Sequence, residues 1–255
     1  WVGRLSNYTL ICDSVTSVLC QITAAITGSL GNFFATEDKH AGYALFKKVE
    51  FLNFWLYGFS FIALVTLLDP FVQIWAGERF VLGLPISIAI AINFFVAGYM
   101  NTLWVFRSTI GLFKQGKFRP ILVAILNIVL SIFLGTKWGV FGVLFATFLS
   151  RAAISLWYDP IVLHKYGFGV SCRPYFVRYL KRIFLLMVVL LVMLALRRAV
   201  LPSEVTVLRF IVMTVMTAVI PNVVLGLVYH RCEEYAYFKS IAKERIIAPI
   251  REKLR

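Results

Sequence analysis

Seven runs of apolar residues, most of them about 20 residues long, restrict the folds open to this chain. They lie near 8–31, 49–68, 84–106, 120–135, 138–158, 180–199 and 206–229. A helix of about 20 apolar residues spans the roughly 30 Å of hydrocarbon in a bilayer, and it satisfies its own backbone hydrogen bonds there. We therefore predict an all-α fold, a polytopic membrane helical bundle of about seven transmembrane helices.

The composition excludes a water-soluble domain. Hydrophobic residues make up 60% of the 255 residues and charged residues only 15%, whereas soluble domains are about 25% charged. Residues 1–160 are predicted to be transmembrane helices, 161–230 a loop and two further transmembrane helices, and 231–255 a cytoplasmic amphipathic tail. Because the sequence starts at Trp1 and a span begins within ten residues, we also expect helices upstream.

The basic excess has two interpretations, nucleic-acid binding and membrane orientation. There are 26 Lys and Arg against 12 Asp and Glu, a formal net charge of +14. The loops after the first, third and fifth spans, together with the tail, hold 19 of the cations, and the N-terminus with the other loops holds five. Under the positive-inside rule this bias predicts a cytoplasmic C-terminus and an outer N-terminus, without any nucleic-acid partner.

One side of the first span is polar. Thr9, Asp13, Thr16, Ser17, Cys20 and Gln21 recur at steps of three and four residues. Small and hydroxyl residues at such spacing also serve helix packing, but packing does not require a carboxylate and a Gln. We favour a hydrated cavity. Within it Asp13 is a candidate for binding a coupling cation or a proton, and the alternative is a hydrogen-bonded structural carboxylate.

The fifth span places Thr147, Arg151, Ser155 and Tyr158 on one face. An arginine inside a cavity can hold phosphate oxygens by paired, charge-assisted hydrogen bonds, so Arg151 is the main candidate for substrate binding. The alternative is that its side chain extends to the membrane surface.

Five further polar residues in or beside the spans complete the sequence-based interpretation. Asn93 and Asn101 give the third span a polar face, and Asn127 is expected to bond another helix. Glu50 and Arg107 lie at span ends, where solvation at the interface would accommodate them. The alternative is that both line the mouth of a cavity.

The sequence contains none of the familiar catalytic patterns. The three histidines lie in or beside predicted cytoplasmic loops, and no P-loop is present. The four cysteines form no C-x-x-C pair that would indicate a zinc site. We therefore predict a non-enzymatic protein without metal or cofactor.

Several motifs of the spans and joints resemble a known family. They are GSLGN at 28–32, DPFVQIWAG at 69–77, FRSTIGLFK at 106–114 followed by Arg119-Pro120, NIVLS at 127–131, GVFGVL at 139–144 and WYDP at 157–160. In order and spacing they look like the C-terminal half of bacterial polysaccharide repeat-unit flippases, which serve O-antigen, capsule or exopolysaccharide synthesis. Those flippases belong to the multidrug/oligosaccharidyl-lipid/polysaccharide exporter superfamily.

The resemblance implies a fold of two six-helix lobes around a central cavity, often with two extra C-terminal helices. This chain would be most of the second lobe plus those extra helices, in the bacterial cytoplasmic (inner) membrane. The implied activity is alternating-access flipping of oligosaccharide linked to undecaprenyl pyrophosphate. Membrane lipid, a polysaccharide polymerase and glycosyltransferases are the other implied partners.

Under this interpretation Arg151 would contact the pyrophosphate, and Gln21, Asn93, Asn101 and Ser155 would be further substrate-binding residues. Asp13 would couple transport to an ion. Two alternatives stay open: a multidrug exporter of the same superfamily driven by Na⁺ or H⁺, and a membrane-embedded glycan polymerase or acyltransferase.

Overall fold

A computed structural model describes residues 2–201 and 205–242, and every regular element in them is helical. The helices are α1 (Val2–Thr27), α2 (Leu30–Thr36), α3 (Lys39–Trp75), α4 (Leu84–Thr109), α5 (Arg119–Val162), α6 (Arg173–Val200), α7 (Val207–Tyr229) and α8 (Glu233–Ala242). Short 3-10 turns cover Glu78–Phe80 and Lys114–Gly116, and a π-helical turn covers Leu163–Phe168.

Helices α3 and α4 form the centre of the bundle. Helix α3 packs against α1, α4, α6 and α7, and the two central helices are mostly buried, whereas α5, α6 and α7 expose many large apolar side chains. Six helical segments of the described chain are long and apolar enough to cross a membrane. The fold is therefore a helical bundle with the character of a multi-pass membrane protein, as the apolar runs predict.

Helix α5 is a hairpin of two antiparallel arms rather than one rod. Gly139 has φ 60° and ψ −138°, a conformation that a residue with a Cβ rarely adopts, and it separates the arms at 119–138 and 140–162. The Asn127 amide lies 3.1 Å from the Thr147 hydroxyl. In a straight helix residues 20 positions apart would be about 30 Å apart.

The arms of the α5 hairpin meet so closely at Gly142 that a Cβ there would overlap the carbonyl oxygen of Leu134. We expect Gly142→Ala to lower the free energy of unfolding by about 1–3 kcal/mol, because backbone must move to admit the methyl group. Denaturant unfolding of the purified protein in detergent measures this. Gly31→Ala is the control, since a Cβ at Gly31 meets nothing within 4 Å. Equal stability of the two variants would contradict the close packing of the arms.

The structure corrects several predicted helix ends. Helix α3 starts ten residues before the predicted 49, where the Asp38 carboxylate accepts from the Ala41 amide at 2.7 Å and caps the helix. It then continues through Pro70, which was expected to begin a loop. Likewise α5 extends past Pro160. Bundles of membrane helices tolerate interior prolines because neighbouring groups satisfy the released backbone, so proline is a poor marker of helix ends here.

Buried polar groups join the helices at both ends of the bundle. At one end the Glu50 carboxylate on α3 accepts from Tyr99 of α4 and Arg182 of α6. Glu50 is 2% exposed and Arg107 8%, so the expectation that solvent at the interface accommodates them is wrong. Their charges are instead satisfied by partners on other helices, since Arg107 pairs with Asp159.

At the opposite end Asp69 on α3 accepts hydrogen bonds from Tyr8 of α1 and Ser87 of α4, both at 2.7 Å. Arg197 of α6 lies 3.5 Å from the same carboxylate. The two networks show that α3 runs antiparallel to α1 and α4 and parallel to α6. This arrangement is the one that the charge count requires, although the assignment of one end to the cytoplasm stays a prediction.

Helix α8 covers the start of the predicted tail. Its Tyr235 stacks on Trp55 with ring centroids 5.7 Å apart, and Tyr237 lies beneath the Lys48 ammonium at 4.0 Å. The helix therefore packs against α3. The rest of the predicted amphipathic tail, 243–255, lies outside the described residues.

Candidate functional site

A polar cavity of about 540 Å³ lies between α4 and the α5 hairpin. We call it the cationic cavity. Its polar lining consists of Asn101 and Trp104 from α4 and Arg119, Asn127, Thr147, Ser150, Arg151, Ser155 and Asp159 from α5. The second arm supplies residues 147, 151, 155 and 159, which repeat at steps of four and so share one helical face. The structure thus brings three of the sequence-predicted residues, Asn101, Arg151 and Ser155, into one cavity.

The charges of the cationic cavity are unbalanced. Asp159 accepts from both Arg107 and Arg119, which places two guanidinium groups on one carboxylate. Arg151 lies eight residues before Asp159, about 12 Å further along the helix, and makes no hydrogen bond or ion pair with another described residue. One acid among three arginines leaves the region positive, and the Arg151 donors are available to a ligand.

The hydrogen-bonding groups of this cavity differ in how far they are already occupied. The Asn127 amide donates to Thr147 and, at 3.4 Å, to Ser150, which confirms the expectation that it bonds another helix. Asn101 and Ser155 make no side-chain hydrogen bond within the described chain. They are therefore free to bind a polar ligand.

A second polar cavity, of about 330 Å³, lies between α1, α3 and α4, and we call it the aspartate cavity. It contains Asp13 and Thr16 of the predicted stripe, together with Cys20. Ala97 and Asn101 of α4 line both cavities. Asp13 and Arg151 consequently lie in neighbouring cavities that α4 separates. They form no ion pair with each other.

Two of the predicted site residues lie outside these linings. The Asn93 amide donates to the carbonyl oxygens of Ala89 and Leu144 at 2.9 and 2.8 Å, so it ties α4 to the α5 hairpin. Gln21 is exposed on α1 and contributes to neither cavity. Gln21 stands near the aspartate cavity in sequence only.

The sequence interpretation missed both charged residues that line the cationic cavity beside Arg151, as well as Ser150. Arg119 and Asp159 lie one residue outside the predicted spans 120–135 and 138–158, but the structure includes both in α5, where they form an ion pair across the hairpin. A signal for Asp159 was present, since it follows Ser155 by four residues on the face of Arg151. For Arg119 the sequence gave none, because the contact depends on how the hairpin closes.

Residues 2–201 and 205–242 contain no group of three His, Cys, Asp or Glu side chains placed to hold a metal ion. Comparison with known proteins adds no constraint on function. No protein-family model matches the chain, and neither curated proteins nor solved structures give a match. The resemblance to flippases therefore stays a prediction from sequence motifs.

Proposed function

We propose that this chain is one lobe of a transporter that flips oligosaccharides linked to undecaprenyl pyrophosphate across the bacterial cytoplasmic membrane by alternating access. The observation that supports this most is Arg151, a half-buried guanidinium that has no hydrogen-bond or ion-pair partner in the described part of the chain and lies in a polar cavity that also holds Arg119. A charge in a membrane helix is costly unless a ligand, water or protein partner compensates it. A pyrophosphate would compensate it directly.

The other walls of the cationic cavity match the remaining parts of such a substrate. Asn101 and Ser155 offer an amide and a hydroxyl to sugar hydroxyl groups, and Trp104 adds an aromatic surface. The prenyl tail stays in lipid, beside the apolar side chains that α5 exposes. The ligand chemistry is thus anionic at one point and polar elsewhere, unlike that of a lipophilic drug.

The same proposal explains the polar surface of α1. Asp13 and Gln21 are exposed although they lie in a helix apolar enough to span a membrane. Contact with lipid tails would be unfavourable for both, so we propose that this face closes against a second lobe around a hydrated space. We propose seven crossings for the described residues, with the two arms of the α5 hairpin counted separately among the six apolar helical segments.

We propose transport in preference to catalysis. A glycan polymerase or acyltransferase needs a free acid or a histidine at the reacting centre. The lining of the cationic cavity holds no histidine, and its single acid, Asp159, is occupied by two arginines.

Ion-coupled export is the second candidate, and Asp13 favours it because the carboxylate lines the aspartate cavity without a hydrogen-bond partner among the described residues. If Asp13 binds the coupling ion, Asp13→Asn removes the dependence of transport on Na⁺ or pH while the protein remains folded. Transport rates in vesicles across a series of Na⁺ concentrations and pH values measure this. Asp38→Asn is the matched control on an exposed acid at the start of α3. An unchanged ion dependence in Asp13→Asn excludes the coupling role.

Deletion of the full-length protein separates the two candidates. The flippase proposal predicts loss of surface polysaccharide with unchanged drug susceptibility. The exporter candidate predicts the reverse, namely increased drug susceptibility with normal surface polysaccharide. Glycan staining and inhibitory concentrations on the same strain provide both measurements.

A further inference from the structure

A small third polar cavity, of about 120 Å³, lies beside the cationic cavity at the predicted cytoplasmic end. We call it the loop cavity. Lys114, Gln115, Lys117 and Phe118 from the connection between α4 and α5 line it together with Arg119, Leu122, Ile154 and Tyr158. Its lining contains three cations and no acid, and of these cations Arg119 is also paired with Asp159 of the cationic cavity. Arg119 belongs to both cavities, so the two share a wall.

The connection that carries the two lysines is held in one shape by buried contacts. Arg107 donates to the Leu112 carbonyl oxygen at 3.3 Å, and the Tyr158 hydroxyl donates to the Gln115 carbonyl oxygen. Gly116 packs against the Arg107 guanidinium so tightly that a Cβ would overlap it. Lys114 and Lys117 are therefore placed by the fold, which a loop serving only membrane orientation would not require.

The surroundings of the loop cavity suit a lipid headgroup at the membrane interface. Phe113 and Phe118 flank it with 67% and 63% of their surface exposed, and α5 enters its apolar first arm directly afterwards. Aromatic side chains beside cations are typical of the membrane interface. Helix α5 also begins at this end, and the positive end of its helix dipole favours an anion. The Nε of Arg119 is buried and has no partner in the described part of the chain.

From this arrangement we propose that the loop cavity binds the phosphate group of an anionic headgroup, as a site separate from Arg151. Two lysines and one arginine around a volume of this size suit a phosphate or one end of a pyrophosphate. Because Arg119 lines both cavities, a headgroup would bind first at the loop cavity and then move to the cationic cavity. This staging role rests on the proposed function, whereas phosphate binding itself does not.

Binding of inorganic pyrophosphate to the purified chain in detergent, measured by isothermal titration calorimetry, tests the site. We expect Lys114→Gln combined with Lys117→Gln to weaken binding at the loop cavity by about tenfold or more, because two charge-assisted contacts are lost. Lys165→Gln combined with Lys181→Gln is the control, since these lysines have the same predicted membrane side but line neither cavity. Equal pyrophosphate affinity in the two double variants would overturn the proposal.

A second variant tests the geometry apart from the charge. Gly116→Ala keeps all three cations but forces the connection and the Arg107 guanidinium apart, so it is expected to weaken pyrophosphate binding as well. The melting temperature of Gly116→Ala is measured in the same detergent. Its pyrophosphate affinity is then compared with that of the parent protein at temperatures where both are folded. Unchanged affinity in folded Gly116→Ala would show that the lysines act without the fixed loop, which contradicts a built site.

The source of the phosphate is distinguished in nanodiscs. If phospholipid headgroups occupy the site, replacing phosphatidylcholine by phosphatidylglycerol weakens pyrophosphate binding in the parent protein and not in the lysine variant. If the site selects phosphate from other molecules, the parent protein binds pyrophosphate with the same affinity in both lipids. Either result supports the proposal only when the lysine double variant has lost pyrophosphate binding. A different result would contradict the proposed function alone. In that case Arg151→Ala leaves pyrophosphate binding unchanged, while the lysine double variant still loses it.

Discussion

Replacing Arg151 by Ala is expected to reduce transport by about 100-fold or more without lowering the amount of protein in the membrane. The guanidinium lines the cationic cavity and makes no hydrogen bond or ion pair with another described residue, so its removal takes away ligand contacts without breaking a polar contact within the described bundle. Two charge-assisted hydrogen bonds to a phosphate are together worth about 3 kcal/mol or more, which corresponds to this factor. Restoration of surface polysaccharide in a deletion strain measures transport, and immunoblots of membrane fractions measure abundance.

Two variants make this result specific. Arg151→Lys keeps the charge but loses the planar pair of donors, so we expect partial transport. Arg198→Ala removes an exposed arginine at the other end of the bundle and is expected to transport normally. Full activity of Arg151→Ala would show that the arginine extends toward the membrane surface rather than binding substrate.

Replacing Asp159 by Ala is expected to lower the free energy of unfolding by about 3–5 kcal/mol. Asp159 is 2% exposed and is the shared partner of Arg107 and Arg119. Its removal leaves two positive charges near each other without a counter-charge, which is the costly way to break a buried ion pair. Reversible denaturation in detergent micelles, followed by tryptophan fluorescence, gives the change.

Asp38→Ala is the matched control for this prediction. Asp38 is an exposed acid that caps α3 through a single bond to the Ala41 amide, and its loss is expected to cost about 1 kcal/mol. If both variants are destabilised to the same extent, the Asp159 network contributes no more than a helix cap. The central role that the structure gives to this carboxylate would then be wrong.

The sequence predicts the helical class and the approximate spans because about 20 consecutive apolar residues have few alternatives in a bilayer. It fails at the helix ends. Asp69-Pro70 and Asp159-Pro160 look like turns, yet both pairs lie inside helices, where the carboxylates bind Tyr8 and Arg107 from distant parts of the chain. Which residues become such partners depends on tertiary packing, and the local sequence does not predict that packing.

The candidate site was predictable to the extent that it follows one helix. Arg151 and Ser155 share a face by their spacing, and Asn101 was identified as a polar residue within an apolar run. The pairing of Glu50 with Arg182 joins residues 132 positions apart, and it changes a surface acid into a buried one. The division into a cationic and an aspartate cavity depends on α4 lying between α1 and the α5 hairpin, which periodicity does not predict.

The most direct test of the proposed flippase is translocation by the full-length protein in liposomes. A fluorescent oligosaccharide linked to undecaprenyl pyrophosphate is placed in both leaflets, and a membrane-impermeant quencher is added outside. Flipping predicts that nearly all the fluorescence is lost in vesicles with the parent protein and about half in vesicles with Arg151→Ala or without protein. Loss of only half with the active parent protein would contradict the account.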